Sequence, residues 1–217
     1  MKVFVAGIGH LAKWVRHGAV HKGFEIAPPE HAALIFYAED TPVFPGGARD
    51  QSNIRANVNF YLTFRRPLVV ASQVEPGFCR SFGRSDLFHQ ADILRTNDEI
   101  ERSERPEMLI VGSPHDSLVS PSYEKYLQSF ACPVMRMEYE EAEFAKIAIN
   151  CTLASQVENT NRLAEAAKKV GAGWQKIADV LRHDKRIGKH AYLSPGDWRQ
   201  SPHLLRDQVS LEEILAR

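Results

Sequence analysis

Two side chains in the second half of the sequence have the types and the spacing that can stabilise negative charge on an oxygen atom. Lys146 and Asn150 are four positions apart, so on a helix the ammonium and the amide point into the same small volume. Donors arranged in this way can stabilise a developing oxyanion. A solvated pair on a helix surface is the alternative, but apolar Leu153 and Val157 continue the same stripe. We therefore predict that Lys146 and Asn150 line a functional pocket.

A glycine-rich segment near the N-terminus has the pattern that binds nucleotide phosphates. Residues 7–12 read GIGHLA, a GxGxxA sequence that directly follows an apolar strand pattern and opens a helical one. The first glycine allows a tight turn, the second lets a pyrophosphate approach the backbone, and the small alanine permits close helix–strand packing. A glycine turn that binds nothing is the alternative. We expect NAD, or else NADP, to bind at this turn, through Gly7, Gly9, His10, Leu11 and Ala12.

One acidic residue lies at the distance expected for the ribose ligand of such a turn. In dinucleotide-binding units a carboxylate about 20 residues beyond the glycines holds the ribose 2′-hydroxyl. Glu30 is the acid near that position, and we assign it to the cofactor site. A solvated loop charge is the alternative, because the sequence runs through Pro28 and Pro29 into the next strand pattern and leaves no room for the usual intervening helix.

The elements around these residues are predicted to alternate between strands and helices. Short apolar segments bounded by Gly, Pro, Asp or Ser predict strands at residues 2–6, 24–27, 33–38, 67–72 and 108–112. Apolar residues at helical spacing predict helices from residue 11 to a stop at Gly23, at 54–64 and at 121–131. This alternation is typical of an α/β fold with a Rossmann-like, mainly parallel sheet covered by helices.

Beyond residue 138 the pattern changes to one long helix that ends at Gly171. Its apolar residues face in more than one direction, and a helix that is apolar on two sides needs two neighbours. We expect one neighbour to be the same helix of a second copy, giving a homodimer through residues 138–170. The predicted domains are a shortened Rossmann-like dinucleotide-binding domain at 1–137 and an all-α dimerisation domain at 138–217. A C-terminal loop is predicted before a closing turn at 211–215.

Composition excludes several other classes of function. The 27 Lys and Arg balance 27 Asp and Glu, so the chain lacks the positive field that nucleic-acid binders use. Its three cysteines fall in no metal-binding spacing, and His17 and His21 share a helix face with no third ligand indicated nearby, so we expect no metal site. No apolar segment approaches the ~18 residues of a membrane span. We expect a cytoplasmic protein with no membrane partner.

Several motifs along the chain match one known enzyme family. They are Glu143-Phe144-Ala145-Lys146-Ile147-Ala148-Ile149-Asn150, Asp184-Lys185-Arg186-Ile187-Gly188, Asp40-Thr41-Pro42, the segment from Val69 to Gly77 and the segment from Pro106 to Gly112. With these motifs the chain resembles the UDP-glucose/GDP-mannose dehydrogenase family over nearly all of its length. The resemblance implies a shortened nucleotide domain followed by the helical central domain. It also implies that the family's C-terminal domain, which holds the nucleoside diphosphate of the sugar, is absent from this sequence.

The resemblance implies roles for individual residues. Enzymes of that family oxidise a sugar alcohol twice, reduce two NAD and pass through a thiohemiacetal on a cysteine. Lys146 and Asn150 match the lysine and asparagine that polarise the reacting oxygen and hold a water. Arg186 matches the arginine that reaches across the dimer to the substrate. Asp207 matches the aspartate of the family's Pro-Lys-Asp ending, and we place it among the catalytic residues.

The resemblance extends to two loops at the edge of the sheet. Thr41 and Pro42 match the Thr-Pro loop after the third strand, and we add them to the cofactor site. Asp92 takes the place of a substrate-binding glutamate and keeps its charge on a shorter side chain. Thr96, by contrast, replaces a second glutamate and loses the charge.

One departure from the family concerns the covalent step. Aligned without gaps, His203 falls where the nucleophilic cysteine stands in the family. An imidazole cannot replace a thiolate in a thiohemiacetal that then gives up a hydride. Oxidation to the acid is therefore not expected. The general base of a single hydride transfer would be His203, since an unperturbed histidine pKa near ~6.5 suits that role, or else Lys146.

Two functions follow from these matches and departures. The first is an NAD-dependent oxidoreductase that performs a single hydride transfer on a sugar or nucleotide-sugar alcohol. Its catalytic residues would be Lys146, Asn150, His203 and Asp207, and its substrate-binding residues Asp92 and Arg186. The second is a catalytically inactive dimeric homologue that binds a nucleotide or sugar, or acts as a partner protein.

Overall fold

The computed structural model describes residues 1–44, 46–91, 98–115 and 119–217. The chain divides into two compact units, Met1–Lys146 and Ile147–Arg217. The division falls inside the long helix, whereas the sequence pattern puts the domain boundary after residue 137. Each unit is described by itself below.

The first unit is built on a seven-stranded sheet in the order β2-β1-β3-β4-β5-β6-β7. The strands are β1 (Lys2–Ala6), β2 (Glu25–Ile26), β3 (Leu34–Tyr37), β4 (Leu68–Val70), β5 (Leu87–Ala91), β6 (Leu109–Ser113) and β7 (Val134–Glu138). All neighbouring strands run parallel except β5 and β6, which are antiparallel. The predicted Rossmann-like, mainly parallel sheet is therefore confirmed. Strands β5 and β7 are additional to those that the sequence pattern predicted.

Both faces of the sheet are buried, because consecutive side chains of a strand point to opposite sides. In β3, Leu34 and Phe36 pack into one core cluster, and Ile35 and Tyr37 into the other. All four residues of β3 are buried, which explains the continuous apolar segment that predicted this strand.

Helices cover the two faces. They are α1 (His10–His21), α2 (Ser52–Leu62), α3 (Glu99–Glu104) and α4 (Pro121–Leu127). Helices α1 and α4 contribute to the first core cluster and α2 to the second. Helix α4 begins where Ser120 Oγ accepts a hydrogen bond from Tyr123 N at 3.3 Å, with proline at the first helical position. The short helix α3 is absent from the sequence prediction.

The long predicted helix is present as α5 (Tyr139–Lys169), and it runs from the end of the first unit into the second. In the second unit it is followed by α6 (Trp174–His183) and α7 (Pro202–Leu215). The segment between α6 and α7 is tied to α5 by Asn161, which exchanges two hydrogen bonds with the backbone of Gly196 at 2.7 and 2.9 Å.

The predicted C-terminal loop is wrong for its last part. Residues Pro202–Leu215 form a helix of 14 residues rather than a loop with a closing turn. The proline, which suggested a loop, occupies the first turn, where its missing N–H costs nothing. Within the described ranges, no helix is long and apolar enough to cross a membrane.

Candidate functional site

The glycine turn joins β1 to α1 and has the geometry that its sequence predicts. Gly7 adopts a φ of +108°, and a Cβ built there would lie 2.1 Å from the carbonyl oxygen of Ala38. A side chain at this position is therefore excluded by the backbone of the neighbouring strand. Gly9 is the N-cap of α1, and no side chain caps the helix. The first turn of α1 contains no acidic residue, so its N-terminal N–H groups and partial positive charge suit an anion.

An arginine that the sequence analysis missed stabilises this turn. Arg16, one and a half turns into α1, donates from Nη2 to the carbonyl oxygens of Val5 at 2.9 Å and Gly7 at 3.3 Å. The guanidinium thus fixes the end of β1 against the helix. No spacing rule singles out this residue, because its partners are backbone atoms.

The remaining residues of the turn contribute in different ways. Leu11 and Ala12 are buried in the first core cluster, so only their backbone could face a ligand. The His10 side chain is 58% exposed, accepts a hydrogen bond from Trp14 Nε1 at 3.1 Å and lies 3.5 Å from a carboxylate oxygen of Glu99.

The predicted ribose ligand lies outside the sheet. Glu30 is exposed in a short 3₁₀ helix, Pro29–His31, that begins after the end of β2 at Ile26. Strand β2 is the edge of the sheet, so within the described residues no strand lies beyond it. The residues present therefore fit the diphosphate part of a dinucleotide, whereas the ribose and adenine side of the site is shortened.

Two loops at the carboxyl ends of β3 and β4 meet beside the glycine turn. Thr41 is buried and its hydroxyl donates to the carbonyl oxygen of Gln73 at 2.5 Å, while Pro42 is exposed. Thr41 therefore joins the two loops. Asp40, which the sequence analysis quoted without a role, is exposed, and its Oδ2 would lie 3.0 Å from a Cβ built on Gly9.

A buried carboxylate connects the first turns of α5 to the loop after β4. Glu143 is 2% exposed and accepts hydrogen bonds from the backbone N–H groups of Gly77 at 2.6 Å and Cys79 at 2.8 Å. Burial raises the pKa of this carboxyl to about 7, although the hydrogen bonds from Cys79 and Gly77 act in the opposite direction. The sequence analysis quoted Glu143 only as part of a motif.

In the second unit, two of the predicted catalytic residues are hydrogen-bonded to each other. Asn150 Nδ2 on α5 donates to Asp207 Oδ2 on α7 at 2.5 Å, and both side chains are buried. Arg206 Nε lies 3.3 Å from the other oxygen of the carboxylate. Cys151 Sγ donates to the backbone oxygen of Asp207 at 3.4 Å, so this thiol lies on a packing face of the helix. Asn150 is thus not the solvated surface residue of the alternative interpretation.

The other predicted site residues are more exposed. Lys146 is half-buried on α5, and His203 is exposed in the first turn of α7. Arg186 is exposed and forms an ion pair with Asp184 at 2.7 Å. Asp92 lies outside the described residues, as does Thr96.

The histidine pair of α1 has a carboxylate neighbour that the sequence analysis did not expect. Glu104 Oε1 lies 2.9 Å from His17 Nε2 and 3.4 Å from His21 Nδ1. These contacts join α3 to α1. In the part of the chain that the structure describes, no group of three or more His, Cys, Asp or Glu side chains is arranged to hold a metal ion.

Comparisons with known proteins agree with the motifs. Residues 140–198 match the model of the central domain of the UDP-glucose/GDP-mannose dehydrogenase family. UDP-glucose 6-dehydrogenase TuaD of Bacillus subtilis is 28% identical over 170 residues, which cover 72% of this chain and 37% of that protein. GDP-mannose 6-dehydrogenase of Pseudomonas putida is 27% identical over 106 residues, which cover 48% of this chain and 24% of that protein.

A solved structure has the same fold over almost the whole chain. A UDP-glucose dehydrogenase from Pyrobaculum islandicum matches with a TM-score of 0.77 and 18% identity, covering 99% of this chain and 64% of that one. These matches confirm the resemblance that the motifs predict. The chain spans well under half the length of the curated relatives that it matches.

Proposed function

We propose that this chain, a relative of the UDP-glucose/GDP-mannose dehydrogenase family, is an NAD-dependent oxidoreductase that acts on the CH–OH group of a sugar or nucleotide sugar. It removes one hydride and does not continue to the acid. The observation that carries this proposal is the glycine turn, where the Ala38 carbonyl excludes a side chain from Gly7 and an uncapped helix N-terminus follows. That geometry suits the diphosphate of a nicotinamide dinucleotide. We assign NAD as the cofactor and keep NADP as the alternative.

The chain holds the cofactor mainly through its backbone. Gly7 allows the tight turn beside the Ala38 carbonyl, Gly9 would let the diphosphate approach the backbone, and the N–H groups at the start of α1 would donate to it. Arg16 stabilises the turn through its bond to the Gly7 carbonyl oxygen. Thr41 fixes the loop after β3 through its bond to Gln73. When bound, NAD supplies the acceptor for the hydride.

Side chains of α5 and α7 are assigned to stabilise charge on the substrate oxygen and to accept its proton. The ammonium of Lys146 and the amide of Asn150 stabilise negative charge on that oxygen. Asp207 acts through Asn150, because its buried carboxylate accepts the amide N–H and holds the amide in one orientation. His203, which is exposed and able to exchange protons with solvent, is assigned the role of general base.

The proposed reaction ends at the carbonyl product. Further oxidation in the family requires a cysteine at the position that His203 occupies, and an imidazole forms no thiohemiacetal. Substrate binding is assigned to Arg186 and Asp92. For the oligomeric state we propose a homodimer through the 138–170 helix, which retains exposed apolar side chains at Phe144 and Leu163.

One observation favours a second candidate, a catalytically inactive homologue that binds a nucleotide or sugar. The amide nitrogen of Asn150 is already hydrogen-bonded to Asp207, and His203 is exposed. Neither observation requires a catalytic role for Asn150 or His203. A measurement of turnover distinguishes the inactive homologue from the proposed oxidoreductase.

The first experiment is a thermal-shift titration with NAD, NADH, NADP, UDP-glucose and GDP-mannose. A ligand at 100 times its Kd stabilises the folded state by about 2.7 kcal/mol, which raises the Tm of a chain of this length by roughly 5–10 °C. We expect such a shift with NAD or NADH. The absence of a shift with every dinucleotide removes the oxidoreductase proposal.

The second experiment measures turnover and its stoichiometry. We expect one NADH per sugar consumed and an aldehyde or ketone product, whereas two NADH per sugar would contradict the single-transfer proposal. Lys146→Ala is expected to lose turnover while it keeps the thermal shift with NAD. The matched control is Lys168→Ala, an exposed lysine near the end of the same helix, which is expected to keep both. Dinucleotide binding without turnover by any tested sugar would support the inactive homologue.

The dimer is tested separately by light scattering. A homodimer has twice the chain mass of 24.5 kDa. A particle of 24.5 kDa at micromolar concentration would contradict the two-sided helix argument.

A further inference from the structure

The space above the second glycine of the turn faces an acidic side chain. In turns of this type the second glycine has no side chain so that a pyrophosphate can approach the backbone. Here that space lies beside Asp40, whose Oδ2 would be 3.0 Å from a Cβ built on Gly9. Asp40 follows the end of β3 at Tyr37 in the chain, so the carboxyl edge of the sheet brings the two together.

The charged groups that the structure describes around the turn do not pair with the Asp40 carboxylate. Among the described residues, no lysine, arginine or histidine lies within ion-pairing distance of Asp40. Arg16 is the cation of the turn, and its guanidinium is directed at the carbonyl oxygens of Val5 and Gly7. His10 lies beside Glu99, which adds a second acid to this region.

We propose that Asp40 is a specificity-determining residue that weakens the binding of diphosphate-containing ligands at the glycine turn. The inference rests on the proposed cofactor function and deepens it. The carboxylate and the diphosphate have the same charge, and both require the space above Gly9. Because Asp40 is exposed, its side chain moves aside when a ligand binds, but its charge stays close.

The charge of Asp40 lowers the affinity for a diphosphate by electrostatic repulsion, and the expected loss is moderate. Two like charges about 5 Å apart in a largely solvated site repel each other enough to lower affinity roughly fivefold to tenfold at low salt. Salt screens such a repulsion, since the Debye length shortens from about 14 Å to about 6 Å between 50 and 300 mM. A ligand without phosphate does not experience it.

The test compares NAD binding to the wild-type chain, to Asp40→Asn and to Glu25→Gln by isothermal titration calorimetry. Asp40→Asn keeps the size of the side chain and removes its charge. Glu25→Gln is the matched control, because Glu25 is an exposed acid at the start of β2, at the opposite end of the sheet from the turn, where it pairs with Lys2. All titrations contain EDTA, so that no divalent cation bridges a carboxylate and a phosphate. Adenosine serves as the phosphate-free probe, and circular dichroism checks that each variant is folded.

We expect Asp40→Asn to bind NAD about fivefold to tenfold more tightly than the wild type at 50 mM NaCl, with the difference falling to about 2.5-fold to fourfold at 300 mM. Adenosine affinity and the Glu25→Gln variant should be unchanged. Binding of NAD to Asp40→Asn alone would also support the proposal. NAD affinity that is equal or lower in Asp40→Asn would overturn it while leaving the cofactor function intact. Failure of every variant to bind NAD would overturn both.

Discussion

The buried carboxyl of Glu143 makes the stability of this chain depend on pH in a direction that is unusual for a glutamate. Its two oxygens accept hydrogen bonds from the N–H groups of Gly77 and Cys79, and the side chain is 2% exposed. Burial raises its pKa from 4.5 to about 7. The folded state therefore binds a proton more tightly than the unfolded state does.

The sign and size of the effect follow from this difference. Between pH 4.5 and about 7 the folded chain holds more protons at Glu143 than the unfolded chain, so the free energy of unfolding falls as pH rises through this range. The stabilisation is complete below pH 4.5 and is lost above about pH 7. From pH 5 to pH 8 the two pKa values give a loss of about 2.5 kcal/mol.

The assay is urea unfolding of the wild type and of Glu143→Gln at pH 5, 6, 7 and 8. The variant cannot titrate at this position, so the difference in free energy of unfolding between wild type and variant should fall by about 2–3 kcal/mol from pH 5 to pH 8. Glu141→Gln, an exposed neighbour on the same helix, is the control and should follow the wild type. Parallel pH profiles for the wild type and Glu143→Gln would refute the reasoning.

Three further substitutions, with Gly171→Ala as a control for the first, test single contacts by urea unfolding. Gly7→Ala should destabilise by at least about 2 kcal/mol, because its Cβ would lie 2.1 Å from a carbonyl oxygen, whereas Gly171→Ala, with positive φ but open space, should cost about 1 kcal/mol. Asp207→Ala should cost about 3–5 kcal/mol, because it leaves the buried amide of Asn150 and a neighbouring guanidinium without their carboxylate. Tyr123→Phe removes a buried 3.0 Å hydrogen bond to a glutamine and should cost about 1 kcal/mol.

For two of these tests, a contrary result identifies what is wrong. Equal costs for Gly7→Ala and Gly171→Ala would mean that the turn relaxes away from β3. A cost below about 1 kcal/mol for Asp207→Ala would mean that water replaces the carboxylate as partner of the Asn150 amide, and the positioning role assigned to Asp207 would then lose its structural basis.

Much of the sheet could be predicted from the sequence because its central strands are apolar on both faces. Strand β3 is an uninterrupted buried segment, and its pattern has no competing interpretation. Strand β7 was missed because it contains Arg136 and Glu138 and is only partly buried at the sheet edge. Strand β5 was missed because His89 and Gln90 interrupt its apolar pattern. His89 is 2% exposed, and burial lowers its pKa to about 4, so it is an uncharged core residue that the sequence presents as polar.

The C-terminal helix was not predicted from the sequence for a different reason. Proline and glycine in residues 195–202 suggest a loop, although the residues from Pro202 onward form a helix. Proline is common in the first turn of a helix, so the same residue could have predicted a helix start. A start at Pro202 would have put Asp207 on a helix.

The candidate site was predictable only in part, since its key contacts join distant positions. The pair of Asn150 and Asp207 is separated by 57 residues, and helical periodicity carries no information about such a contact. Resemblance to a family suggested both residues but not their bond. The partners of Arg16 and Glu143 are backbone atoms, and Asp40 lies beside the space above a glycine. Neither kind of neighbour can be recognised from the amino-acid sequence.

Helix α5 connects the stability arguments to the proposed chemistry. Lys146 lies three residues after Glu143 and four before Asn150, so the three side chains share one face of the helix. Each of the outer two is buried and held by hydrogen bonds within its own unit, to the loop after β4 and to α7 respectively. The backbone that carries Lys146 is therefore fixed about one turn away on either side. Stabilisation of an oxyanion requires that the donor is positioned before the charge develops, and in the function proposed above Glu143 and Asn150 would provide that positioning for Lys146. If this argument is correct, Glu143→Gln and Asp207→Asn should each lower kcat at pH 8 while leaving the affinity for NAD at the glycine turn unchanged.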